Sequence, residues 1–229
     1  MARLAALPDP LPPSPSVFLP VPAGSAVTMG SAGSFGPTRQ ADDEAFPFGS
    51  PNPATDRPAA VLVLLFPGPD GAARLILTER QTYDGHHSGD ISFPGGKVEP
   101  GDLDVAAAAL REAHEEIGLD PAAAGVRLLG QLDEVWIPVS RFRITPILAA
   151  AERRPVLVAA PAEVVRILEP PLTAFLPGAP VRLVERTIRD RPLRYGAYPV
   201  MAEDGTELLV WGVTARILGQ LGALLAREA

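Results

Sequence analysis

At 229 residues, 47% hydrophobic and 21% charged, the chain has the make-up of a globular protein large enough for one well-buried domain plus a tail. A formal net charge of −7 without a basic run argues against binding a nucleic-acid backbone, and the absence of cysteine excludes disulfide staples and thiolate metal sites. Any metal would be held by oxygen ligands or by one of three histidines, which favours a hard cation such as Mg²⁺ or Mn²⁺.

Prolines 8, 10, 12, 13, 15, 20 and 22 recur too densely for a helix or a central strand, and Gly24 to Gly36 offers little to bury. Residues 1–56 are expected to be a disordered or loosely laid tail, with the folded domain over residues 57–229. Pro8 breaks the first apolar stretch, so no secretory segment is expected. The longest apolar run, Ala59 to Phe66, is far short of the roughly 20 residues that span a bilayer. A cytoplasmic location with no membrane partner is the expectation.

Ala59 to Phe66 is rich in strand formers and reads as a buried strand. The turn residues Gly68-Pro69-Asp70-Gly71 lead into Arg74 to Arg80, expected as the returning strand of a hairpin. A polar loop follows over Gln81 to Asp90, then Ile91-Ser92-Phe93-Pro94-Gly95-Gly96. The clearest helix comes next. Asp102 is its expected N-cap, Asp104 adds charge at the positive end of the dipole, and Gly118 is its C-cap. Ala106, Ala109, Leu110, Ala113 and Ile117 give that helix its apolar stripe.

Strands are expected over Val126 to Leu132, Ile144 to Ala149 and Val181 to Ile188, and a short helix over Ala162 to Leu168. A second amphipathic helix, Val213 to Arg227, carries Ile217, Leu218, Leu221, Leu224 and Leu225 on its apolar side. Strands mixed with two or three helices make an α+β or layered α/β domain.

Chemistry concentrates in Gly95 to Leu119, GGKVEPGDLDVAAAALREAHEEIGL. Glu112, Glu115 and Glu116 lie at i, i+3 and i+4, so their carboxylates share a helix face. Like charges at this spacing cost only about 0.2–0.5 kcal/mol, so the triplet by itself does not demand a metal. The surrounding pattern adds more. It closely resembles the Nudix box, G-x5-E-x7-R-E-U-x-E-E-x-G-U, in which U is aliphatic. Arg111, Glu112, Ala113, Glu115, Glu116, Gly118 and Leu119 match its second half, and Gly95 and Gly96 its start. Where the pattern has glutamate this chain has Leu103, flanked by Asp102 and Asp104.

That lengthened loop resembles the coenzyme A pyrophosphatase branch of the family. So does the upstream run Leu77-Thr78-Glu79-Arg80 followed by His87, Gly89, Ile91 and Phe93 to Gly96. Gln81, Asp84 and Gly85 depart from the branch pattern, the last replacing an arginine. GQLDEVWIPVSRFRITPIL and Trp211 to Leu218 also resemble the branch, so the likeness covers roughly residues 57–229.

The resemblance implies a Nudix fold, a mixed sheet sandwiched between helices (αβα). It also implies a Mg²⁺- or Mn²⁺-dependent pyrophosphatase acting on a small-molecule nucleoside diphosphate derivative, coenzyme A or its derivatives first. The alternatives are ADP-ribose, a dinucleotide or an oxidised nucleotide, and a binding module without catalysis. By the same resemblance Glu112 and Glu116 are metal ligands, Glu115 binds a second ion or positions water, and the Gly96 carbonyl completes the shell. Arg111 would orient a carboxylate. Glu115 is the first candidate for the general base, with Glu134 as its rival. Arg80 and His87 are candidates for substrate phosphate contacts, while Gly95 and Gly96 allow close backbone approach. Self-association into a homodimer is left open.

Overall fold

The computed structural model describes residues 21–22, 27–29, 35–37, 52–81, 90–188 and 191–227. The first strands are short: β1 (Val21–Pro22), β2 (Val27–Met29) and β3 (Phe35–Pro37), of which β2 and β3 pair antiparallel. Most of the expected tail lies outside the described residues. Beyond it the described chain forms two compact units, one running to Leu172 and the other starting at Thr173.

The first unit is built on β4 (Arg57–Pro67). Ala60, Leu62, Leu64 and Phe66 on one face and Val63 and Leu65 on the other are all buried, which is why the run is continuous rather than alternating. β4 lies parallel to β11 (Phe142–Ala151), which pairs antiparallel with β9 (Val126–Gln131) and β10 (Val135–Ile137). The opposite edge of β4 is shared. β8 (Gly95–Lys97) pairs with Ala59 to Val61, and β5 (Ala73–Leu75) with Leu65 to Pro67.

The expected hairpin arm over Arg74 to Arg80 is broken in two. At Ile76, itself fully buried, the chain leaves the main sheet, and β6 (Leu77–Arg80) joins a second sheet between β7 (Ile91–Ser92) and β12 (Val164–Leu168). The short helix expected over Ala162 to Leu168 is therefore a strand. Val164, Val165 and Ile167 are β-branched, and pairing with β6 settles the choice.

Helix α1 (Val105–Ile117) packs on β4 and β8. Ala108, Ala109, Ala113 and Ile117 are buried against Leu62, Leu64 and Phe66, and their small side chains let the helix lie close to the sheet. The N-cap is Asp104, whose Oδ1 accepts from the Ala107 N–H at 2.8 Å. The expected cap, Asp102, is used elsewhere. Gly118 ends the helix at φ 65°, a left-handed conformation that costs glycine little. A further short helix, α2 (Pro121–Ala124), begins at a proline, whose missing N–H costs nothing at a helix start, and is capped by Asp120.

In the second unit β13 (Arg182–Ile188), β14 (Arg191–Met201) and β15 (Glu207–Val210) form an antiparallel sheet, with β1 on β14. Helix α3 (Gly212–Arg227) buries Ile217, Leu218, Leu221 and Leu224, as the amphipathic pattern requires. Trp211 sits edge-on to Tyr195 at 5.4 Å, a packing role.

Candidate active site

Three pieces of the first unit meet where α1 crosses β8: the glycine turn, the loop before α1, and the glutamate face of the helix. The two glycines set how closely they meet. A Cβ on Gly95 would collide with the Ala60 carbonyl, and one on Gly96 with the Glu112 carboxylate. Only a strand without side chains leaves room for both β4 and the glutamate.

The three glutamates do not share one environment. The Glu116 side chain is 2% exposed, Glu112 16% and Glu115 52%. The i, i+3, i+4 spacing put them on one face, but the curvature of the helix surface against β8 turns Glu116 inward and leaves Glu115 at the rim. Glu116 accepts from the Gly95 N–H at 3.1 Å and from Arg80 Nη1 at 3.2 Å. Burial outweighs both donors and pushes its carboxyl up to about 7, and burial likewise raises Glu112.

Arg111 holds the remaining carboxylates. Its Nε and Nη2 donate to Asp102 at 2.9 and 3.1 Å, and Nη2 donates also to the Lys97 carbonyl at 3.0 Å. Nη1 donates to Glu112 at 3.1 Å and to Glu115 at 2.9 Å. The guanidinium bridges the loop and the helix. In the loop it is Asp102 that Arg111 holds, while Leu103 is 95% exposed. The carboxylate of Asp102 is held below its ordinary pKa, first by Arg111 and then by the Glu99 N–H.

Arg80 pairs with Glu116 inside the site. His87 lies outside the described residues. Glu134, the rival base, pairs with Arg143 at 3.3 Å. Glu163 was not singled out from the sequence, yet its charge is felt at both Glu112 and Glu116 and raises both. It stands just before β12, where its carbonyl accepts from the Gln81 N–H at 2.9 Å. No local pattern marks it, because only the β6–β12 pairing brings it near the helix.

The donor set suits a hard divalent cation. Glu112 and Glu116 are oxygen donors whose anionic form burial disfavours, and the bare edge of Gly96 leaves the Glu112 carboxylate against the strand. Among the described residues no three Asp, Glu or His side chains converge as a ready metal cage. The carboxylates face Arg80 and Arg111 instead.

The NUDIX domain model matches residues 56–174. The mitochondrial Nudix hydrolase 15 of Arabidopsis thaliana is 36% identical over 162 residues, 70% of this chain and 55% of its own length. The chain spans about half the length of the plant relatives it matches. An uncharacterised Nudix hydrolase, NudL, of Shigella flexneri serotype 5b is 33% identical over 169 residues, covering 74% of this chain and 83% of that protein. Among solved structures, that of RenU, a Nudix hydrolase from M. smegmatis, matches at 27% identity over 52% of this chain and 72% of that one, with a TM-score of 0.43.

Proposed function

The chain belongs to the Nudix hydrolase family, and from that premise we propose that it hydrolyses the pyrophosphate link of coenzyme A or its derivatives, releasing 3′,5′-ADP and 4′-phosphopantetheine. One observation carries the catalytic part of this reading: two desolvated glutamates, Glu112 and Glu116, are fixed against a glycine turn while Glu115 stays open to solvent. Glu112 and Glu116 would hold Mg²⁺ or Mn²⁺, joined by Glu115 and the Gly96 carbonyl. Such a cation supplies charge neutralisation at the diphosphate and acidifies the attacking water.

The chain's own residues do the rest. Glu115 gives one oxygen to Arg111 and leaves the other to solvent, where it takes the proton of the attacking water. Arg111 fixes Glu112 and Glu115 in place. The Gly95 N–H orients Glu116. Arg80, bound to Glu116 in this state, and His87 are the groups proposed to meet substrate phosphate.

The choice of coenzyme A rests on the lengthened loop through Asp102 and Asp104 and on the run from Ile91 to Gly96 with Gly89 and His87 before it. Gly85, in place of the branch arginine, keeps ADP-ribose, dinucleotides and oxidised nucleotides as the alternative substrates. A product assay separates them. With Mg²⁺ and coenzyme A, ADP-ribose, NADH or 8-oxo-dGTP, kcat/KM should be highest for coenzyme A and fall by at least about 10²-fold in Glu116→Gln, the order of effect of losing an essential polar group. Preference for another substrate overturns the branch and keeps the chemistry. No turnover of any of the four favours a non-catalytic binding module.

A further inference from the structure

We propose that Arg143 is a specificity residue whose guanidinium binds the 3′-phosphate of coenzyme A, across the ribose from the diphosphate that is cut. The inference deepens the coenzyme A reading above and rests on it.

Strand register places Arg143 beside the site. Ala60, Leu62 and Leu64 of β4 cluster with the buried face of α1, and so do Ile147 and Ala149 of β11. Alternation along β11 puts Arg143 on that same face of the sheet. It is the neighbour of Pro58 on one side of β4, while Gly96 is the neighbour of Ala60 on the other. Two strand spacings and two residues along the strand put the Cα atoms of Arg143 and Gly96 about 12 Å apart. Gly96 lies against the Glu112 carboxylate. Pro58, on the strand between them, is exposed, and the Arg143 side chain is 27% exposed.

The other arginines of the site are committed, Arg80 to Glu116 and Arg111 to Asp102, Glu112 and Glu115. Arg143 is held far less. Among the described residues its guanidinium makes one hydrogen bond, from Nη1 to a single oxygen of Glu134 at 3.3 Å, and that carboxylate is 44% exposed. Its Nε is buried without an acceptor. So is Nε1 of Trp136, the residue directly opposite on β10. Residues paired in this way share a face, with Cβ atoms about 4.5–5.5 Å apart. Buried donors are nearly always satisfied, so two unsatisfied donors on one pair call for an acceptor that the chain does not supply.

A phosphate monoester suits that position. It presents several acceptor oxygens and close to two negative charges, which the planar fork of an arginine matches. It would displace a carboxylate held at the rim by one long contact. Of coenzyme A, ADP-ribose, NADH and 8-oxo-dGTP, coenzyme A alone carries a phosphate monoester across the ribose from its diphosphate. The subsite therefore discriminates among these candidates at a place the glutamates of α1 do not touch.

The test measures kcat and KM with Mg²⁺ on the full chain for coenzyme A and for its 3′-dephospho form. The wild type should favour coenzyme A by about tenfold or more in kcat/KM, the lower range for one charge-assisted contact. Arg143→Gln should raise KM for coenzyme A by that factor and leave kcat unchanged, as for a contact made equally in the ground and transition states. Turnover of the dephospho form should stay within about twofold, which also reports that the variant is folded. Glu134→Gln, which removes the competing carboxylate, should lower KM for coenzyme A and not for the dephospho form. Should Arg143→Gln not fold, Arg143→Lys keeps the charge, loses the fork and should lose part of the preference. A wild type indifferent to the 3′-phosphate, or equal losses on both compounds in Arg143→Gln, overturns the subsite and leaves the coenzyme A reading standing. No turnover of either compound overturns that reading and the subsite with it.

Discussion

A Cβ at Gly96 would land on the Glu112 carboxylate, and the residue nearest it in space has no slack, being held by Arg111. Gly96→Ala should therefore destabilise the cation-free protein by about 1–3 kcal/mol, the usual cost of overpacking. Urea denaturation in EDTA measures it. An unchanged midpoint would mean that the strand can shift away from α1. At the same scale the site glutamates separate into roles that spacing did not assign: Glu116 is buried under Arg80 and the Gly95 N–H, while Glu115 is half in solvent. Arg80, a candidate for a substrate phosphate contact, is paired with Glu116 in this structure.

Helix α1 shows how an element can be legible in outline and misread at its end. Its length, C-cap and apolar stripe follow from alanine content, Gly118 and the spacing of Ala109, Ala113 and Ile117. The N-cap did not. Asp102 and Asp104 are both good caps, and the choice depends on a third residue: Arg111, one helix face away, draws Asp102 into the loop and leaves Asp104 to the Ala107 N–H. Asp104→Ala should cost about 1 kcal/mol of stability, as for other lost N-caps. A change below about 0.3 kcal/mol in chemical denaturation would say that the cap contributes less than its geometry suggests. The misread helix at Ala162 to Leu168 has a similar cause. A short apolar run is ambiguous alone, and an available edge on β6 made it a strand.

For the molecule as a whole, the site is a place where stability is given up. Burial holds the Glu116 carboxyl at about 7, against 4.5 for an ordinary glutamate. The folded state then binds this proton more tightly than the unfolded chain does. Stability from this group is complete below pH 4.5 and is lost as pH rises through 7. The full loss is on the order of 3–4 kcal/mol, since one pKa unit is about 1.4 kcal/mol. Urea midpoints at pH 5 and pH 8 in EDTA should show the wild type losing more stability than Glu116→Gln over this interval. Parallel pH profiles for the two proteins would dismiss Glu116 as the source. Among the described residues no helix is long and apolar enough to cross a membrane.

The α+β class and the resemblance to the Nudix box were legible in the sequence alone, because both depend on features local in the chain: a continuous apolar strand, turn residues, helical spacing and a fixed motif. What needed the tertiary structure was everything that depends on partners distant in sequence. Ile76 is a break because two sheets compete for the strand around it. Glu163 reaches the site through β6–β12 pairing, 47 positions beyond Glu116. Asp102 answers to Arg111 rather than to the helix beside it, since a bidentate ion pair across the loop outbids a cap that Asp104 can provide as well.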